Sequence, residues 1–271
     1  PAPYWVTFPE VVKVTEAEPR IIETREEDNF ELRPEVVEAA IGPRTRGLIL
    51  NTPNNPTGAM IPRSAMKEIY RICRENSVLL LSDETYNYFV YDGQQHFSIA
   101  GVAAPDDPFF ALIGSFSKTY SMTGWRVGYC ITAVERINKV AEYQSHESGN
   151  PTSVSQKAAL AALSIDPSLI AEMTEEYRHR RHLVLEMVAE IPGFSCSRPT
   201  GAFYAYPNVS KAMRLTGCET SVDFSRLLIK EARVATVPGS AFGTEGYIRL
   251  SYATSRENLR EGLSRIRRLV E

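Results

Sequence analysis

At 271 residues, 43% of them hydrophobic, the chain is long enough to bury more than one domain's worth of apolar surface. A formal net charge of -3 gives no field for nucleic acid or anionic membranes, so the expected partners are small molecules. No apolar stretch approaches a membrane span, and no charged-then-apolar leader opens the sequence. Cys73, Cys130, Cys196 and Cys218 form no C-x-x-C pair, which argues against a zinc site or disulfide framework and for a reducing cytoplasm. In chain order, strand-like runs at Leu48 to Asn51, Val78 to Ser82, Phe109 to Gly114 and Trp125 to Ile131 alternate with helical patterns from Arg63 to Asn76 and from Val134 and Pro151. That alternation predicts an α/β fold with a mainly parallel sheet and helices on both faces. Asp166-Pro-Ser opens a long helix that Ile191-Pro-Gly193 stops, and this helix is expected to join two domains, 1–180 and 181–271. The second reads as a smaller α+β unit, with short strands at Gly201 to Tyr206, Val234 to Val237 and Tyr247 to Ser251 and helices from Ser221 and Ser255. His179 and His182, one turn apart in Arg178-His-Arg-Arg-His182, read as a solvated charged helix face, so no metal is expected.

Four segments carry chemistry. Ser115-Phe-Ser-Lys-Thr-Tyr-Ser-Met-Thr-Gly-Trp-Arg126 sets a lysine among hydroxyls, with an arginine eight residues on. A lysine amine forms a Schiff base with an aldehyde, and serines with an arginine supply donors for a phosphate dianion. Pyridoxal 5'-phosphate carries both groups. Ser82-Asp-Glu-Thr-Tyr86 follows an apolar run and puts Asp83 at the C-terminal end of a buried strand, the edge where open α/β sheets collect ligands. A carboxylate there matches a protonated pyridine nitrogen. Asn51-Thr-Pro-Asn-Asn-Pro-Thr-Gly58 is a rigid turn after another apolar run, and Tyr247-Ile-Arg-Leu-Ser251 carries Arg249, whose fork suits a carboxylate. Singly, these are a solvated lysine, a turn-capping aspartate, a turn and a surface arginine; their joint occurrence in this order is what points to one site.

With these motifs, Asn-Asn-Pro-Thr-Gly58, Asp83-x-x-Tyr86, Ser115-x-Ser-Lys118 with Arg126, and Arg249-x-Ser-x-Ala253, the chain resembles the class I/II aminotransferases of pyridoxal-phosphate fold type I, and looks most like the bacterial aspartate aminotransferase subgroup. The resemblance implies that Lys118 is the covalent attachment point and proton carrier. It implies that Asp83 pairs with the pyridine nitrogen and that Tyr86 and Asn55 hold the ring hydroxyl. Ser115, Ser117 and Arg126 would bind the phosphate, Arg249 the substrate carboxylate with Asn55, and Trp5 would stack on the ring. It further implies ping-pong transfer between an amino acid and a 2-oxo acid, with aspartate and 2-oxoglutarate as the expected pair, in a cytoplasmic homodimer. Two alternatives stay open: carbon–sulfur β-elimination on the same frame, and an aminotransferase-like domain of a transcription regulator. Because the sequence starts at Pro1, inside what the family would call the cofactor domain, an N-terminal segment is expected to be missing and the activity of these residues alone to be low.

Overall fold

The computed structural model describes residues 1–271. Two short helices, α1 (Thr7–Val14) and α2 (Pro34–Ala40), precede strand β1 (Gly47–Asn51), and α3 (Arg63–Glu75) leads to β2 (Leu79–Asp83). Strands β3 (Phe110–Ser115) and β4 (Gly128–Thr132) follow, then helices α4 (Val134–Glu147), α5 (Ser153–Ala162) and α6 (Pro167–Ala189). The remainder comprises β5 (Tyr204–Ala205), α7 (Ser210–Leu215), α8 (Ser221–Leu227), β6 (Val237–Pro238), β7 (Ile248–Ser251) and α9 (Arg256–Val270). No helix is long and apolar enough to cross a membrane.

These elements divide into two compact units. Leu32–Pro53 with Met60–Met173 forms one, here the four-stranded unit; Pro1–Glu31, Asn54–Ala59 and Thr174–Glu271 form the other, the three-stranded unit. In the four-stranded unit the order is β1-β2-β3-β4, with β1, β2 and β3 parallel and β4 antiparallel at the edge. This is the expected α/β architecture. Parallel strands buried on both sides need near-continuous apolar runs, which Val78-Leu-Leu-Leu81 supplies, with Val78 and Leu80 fully buried. On α3 the buried side chains Ala65, Met66, Ile69, Tyr70, Ile72 and Cys73 recur at helical spacing and form its core-facing stripe. The register pairs Asn51 with Asp83 and Asp83 with Ile113, so the C-terminal ends of β1, β2 and β3 bring Asn51, Asp83 and Ser115 to one edge.

In the three-stranded unit β7 is central, antiparallel to β5 and β6. The units depart from a single cut at residue 180, because the first 31 residues fold with the C-terminal segment. Tyr4 N donates to Phe242 O at 3.2 Å, and the Glu26 carboxylate accepts from Tyr247 OH at 3.1 Å and Asn208 Nδ2 at 3.3 Å. Phe30 is buried with Tyr206 and Phe242 in one aromatic cluster.

Candidate active site

The turn after β3 carries Lys118, and its shape follows from what anchors it. Phe116 stacks on Tyr120 with ring centres 5.3 Å apart, and both pack with Met122 and Val127 against Ala158, Ala159 and Ala162 of α5. Ser155 Oγ donates to Trp125 O at 2.7 Å, tying α5 to the end of the same loop. Phe116 and Met122 are therefore pulled inward while Ser117 and Lys118 stay half-buried. Ser117 N donates to Ser115 Oγ at 3.0 Å, which fixes the Ser115 hydroxyl as an acceptor and leaves its proton to donate elsewhere. Lys118 Nζ lies 6.0 Å from the centre of the buried Tyr86 ring. Arg126 adopts a left-handed backbone, φ +53°, and its guanidinium donates to Thr123 O at 2.9 Å while the residue stays exposed. A non-glycine residue at such a φ stores strain, which is commonest where a side chain must be aimed.

Asp83 ends β2. Its Oδ1 accepts from Thr85 N at 3.1 Å, and its backbone carbonyl accepts from Asn51 Nδ2 at 3.1 Å and Thr52 N at 3.0 Å. Burial pushes its carboxyl above the usual carboxylate range, and the charge of adjacent Glu84 pushes the same way. A site that disfavours a carboxylate's charge is completed by a cation. Lys118, Tyr86, Asp83, Ser115, Ser117 and Arg126 thus all belong to the four-stranded unit.

Asn55 and Arg249 belong to the three-stranded unit. Asn54 organises the turn: its Oδ1 accepts from Thr57 N at 3.0 Å and Thr57 Oγ1 at 2.9 Å, and its backbone N–H donates to Ala59 O at 2.8 Å. Gly58 closes it at φ +71°, where an added Cβ would lie 2.5 Å from Pro199 Cβ and 2.6 Å from Gly201 O. Asn55, 5% exposed, accepts from one Arg249 nitrogen at 2.8 Å. The Arg249 guanidinium carbon lies 4.5 Å from the Tyr204 ring centre and 5.1 Å from that of Phe242. Its Nε is buried with no hydrogen-bond acceptor. Sequence reasoning named Arg249 and Asn55 but missed Tyr204 and Phe242. The only trace was the aromatic spacing in Gly201-Ala-Phe-Tyr-Ala-Tyr206, because ring contacts with a strand residue are set by tertiary register.

Trp5 stands apart from both groups of residues in the sequence order of the site. It lies in the three-stranded unit, just before α1, is 40% exposed, and meets Phe8 edge-on at 5.4 Å.

The family description that matches the sequence, Aminotransferase class I and II, spans residues 1–266. The chain belongs to the class I and II aminotransferases. It is 40% identical to the aspartate aminotransferase of Geobacillus stearothermophilus over all 271 residues, which cover 69% of that relative. It is 39% identical to aromatic-amino-acid aminotransferase 2 of Thermococcus litoralis, covering all of this chain and 69% of the relative. Among solved structures, aspartate aminotransferase from Thermus thermophilus with maleate superposes with a TM-score of 0.91 at 38% identity, over 98% of this chain and 68% of that one. The aspartate aminotransferase from Rhizobium meliloti gives 0.92 at 36% identity, over 100% and 69%. This aminotransferase chain therefore has the fold type I architecture of pyridoxal-phosphate enzymes, and the class uses that cofactor. Its residues fit the group. Asp83 is a carboxyl whose charge burial disfavours, a half-buried lysine lies in the same unit, and Ser115, Ser117 and Arg126 of that unit are donors of the kind a dianion takes.

Proposed function

We propose that this aminotransferase moves an amino group between aspartate and a 2-oxo acid, with 2-oxoglutarate as the acceptor, using pyridoxal 5'-phosphate bound through Lys118. The observation that carries the cofactor part is the pinned turn of the four-stranded unit. Lys118 stands half-buried near Tyr86 on a loop that Phe116 and Met122 hold from below, in the unit whose sheet edge carries Asp83.

When bound, the cofactor supplies an electron sink that acidifies the substrate α-carbon. Asp83, as an anion, would hold the ring nitrogen protonated, and in return the ring would relieve the burial that raises the Asp83 carboxyl. Tyr86 and Asn55 would donate to the ring hydroxyl, while Ser115, Ser117 and Arg126 would fix the phosphate. The Lys118 amine, freed by the incoming substrate, would take the proton from the α-carbon and redeliver it, acting as general base and then acid. Arg249, held by Asn55 and flanked by Tyr204 and Phe242, would orient the substrate carboxylate. The aspartate and aromatic-amino-acid relatives support the amino-acid class, and aspartate is the commoner name among them. Trp5 is proposed as a further cofactor contact on the resemblance alone. The four free thiols support a reducing, cytoplasmic setting, and exposed Tyr143, Val154, Leu160 and Leu163 support burial against a second copy in a homodimer.

The test is borohydride reduction after addition of pyridoxal 5'-phosphate, followed by peptide mapping, with a coupled assay of amino donors against 2-oxoglutarate. Label on a Lys118 peptide and glutamate formed from aspartate are expected. Label on another lysine would overturn the attachment site. Glutamate formed from aromatic donors but not from aspartate would overturn the substrate alone.

A further inference from the structure

Beside Asp83, on the next residue of the chain, lies a second buried carboxylate that the reaction as derived does not use. The Glu84 side chain is 2% exposed and accepts three hydrogen bonds: from Ser82 Oγ at 3.0 Å, from Ile99 N at 2.9 Å, and from the ring of His96, whose Nε2 is 2.9 Å from Glu84 Oε2. An ionised carboxylate is acceptor-only, so Nε2 carries the proton in this contact. His96 is itself 9% exposed. The Glu84 backbone N–H donates to Ile113 O at 2.9 Å, continuing the strand pairing one residue beyond Asp83. The strand end at Asp83 and Glu84 is thus held by the end of β1, by β3 and, through the Glu84 side chain, by the segment from His96 to Ile99. Two adjacent carboxylates at a buried strand end repel, and Glu84 is among the causes that raise the Asp83 carboxyl. The three donors fix where the Glu84 carboxylate sits relative to Asp83.

We propose that His96 and Glu84 form a positioning pair for Asp83, which fixes the strand end in the geometry and charge state that a cationic ring nitrogen needs. The inference rests on the assignment of Asp83 given under the proposed function. His96 acts through Glu84 and the backbone, and touches neither cofactor nor substrate in this reading. Ordinary side-chain geometry makes two polar replacements informative. A glutamine amide nitrogen stands roughly where histidine Nε2 does, whereas an asparagine amide nitrogen stands nearer Nδ1 and falls short of Glu84. Comparing the two separates the bond to Glu84 from general loss of the ring.

The experiment measures pyridoxal 5'-phosphate affinity of the full chain by fluorescence quenching, with a thermal melt of each cofactor-free protein. His96→Asn should weaken binding about fivefold or more, and His96→Gln should stay within about twofold of the parent. Made in an Asp83→Asn background, His96→Asn should cost no further affinity, because the residue through which it acts is gone. Equal weakening by His96→Asn in both backgrounds, or equal weakening by Asn and Gln, would overturn the pair and leave His96 a purely structural residue. Unchanged affinity in Asp83→Asn alone would instead overturn the assignment of Asp83. Should His96→Asn fail to fold, Glu84→Gln in the two backgrounds makes the same comparison, since it removes the charge and keeps the side-chain volume.

Discussion

Replacing Arg249 by lysine isolates what a planar fork adds to a charge. Lysine keeps the cation on a flexible stem that still fits between Tyr204 and Phe242, so the ring contacts at 4.5 and 5.1 Å lose little. It also keeps a donor for Asn55 Oδ1, now 2.8 Å from one guanidinium nitrogen. What disappears is the second of two parallel bonds to a substrate carboxylate, since an ammonium cannot present the planar pair of N–H donors that a guanidinium does. A hydrogen bond to a charged group is worth roughly 1.5–3 kcal/mol, which converts to a loss of about ten- to a hundredfold in affinity. Arg249→Lys should therefore raise the amino-acid Kd and KM by that factor while pyridoxal 5'-phosphate affinity stays within about twofold. Spectral titration with aspartate and a separate cofactor titration read the two quantities. Unchanged steady-state constants would remove Arg249 from substrate binding, and a parallel loss of cofactor affinity would show that the fork holds the fold rather than the carboxylate.

Three further outcomes follow from particular contacts. Gly58→Ala must place a Cβ against Pro199 and the Gly201 carbonyl at φ +71°, neither of which swings away, so urea unfolding should show a loss of about 2–4 kcal/mol; an unshifted midpoint would mean that the turn yields. Asp83→Asn should stabilise the cofactor-free protein. Burial raises this carboxyl in the folded state, so the fold binds the proton more tightly than the unfolded chain and loses stability as pH climbs past the unfolded value near 3.8. The gain in Tm should be present at pH 8 and fade below about pH 3, where both states are largely protonated; a gain of equal size at both pH values would refute the assignment. Cys73 is fully buried and its thiol is pushed up to about 12, so iodoacetamide at pH 8 should leave it unmodified in the folded chain, as mass spectrometry of peptides would report.

The four-stranded unit was legible because each of its strands is a run of apolar residues ending in a polar one, and β1, β2 and β3 end within two residues of where the runs do. Asp83 could be placed at the strand edge from that pattern alone, and the register adds Asn51 and Ser115 beside it. Trp125 was read as strand, yet it lies in a short helical turn before β4, since the polar Thr123-Gly124 and the left-handed Arg126 interrupt extension. Helix α1 was missed because its apolar Phe8, Val11 and Val12 recur at helical spacing over only eight residues, too short a run to stand out. Strands β5 and β6 were read as Gly201 to Tyr206 and Val234 to Val237, and the ladder pairs only two residues of each, Tyr204–Ala205 and Val237–Pro238. The pairing of Glu84 with His96 left no local mark at all. Twelve residues separate them, and only the fold of the intervening segment brings the ring to the carboxylate.

The three-stranded unit is closed by contacts between segments far apart in the sequence. Tyr247 reaches Glu26 across 221 positions, and Thr200 reaches Gly58 across 142. A unit assembled that way cannot be completed while the chain is still leaving the ribosome. Strands β1 to β3 and α3 draw only on residues 47–115 and can pair early, but the segment holding Phe30 and Glu26 must wait for β7. Until then its apolar side chains are exposed, and the delay is set by synthesis at about 5–20 residues per second rather than by the search for contacts. Long-range closure of this kind makes for slow, collision-prone folding. The interval before Tyr247 emerges is accordingly the one in which a chaperone would find most to bind.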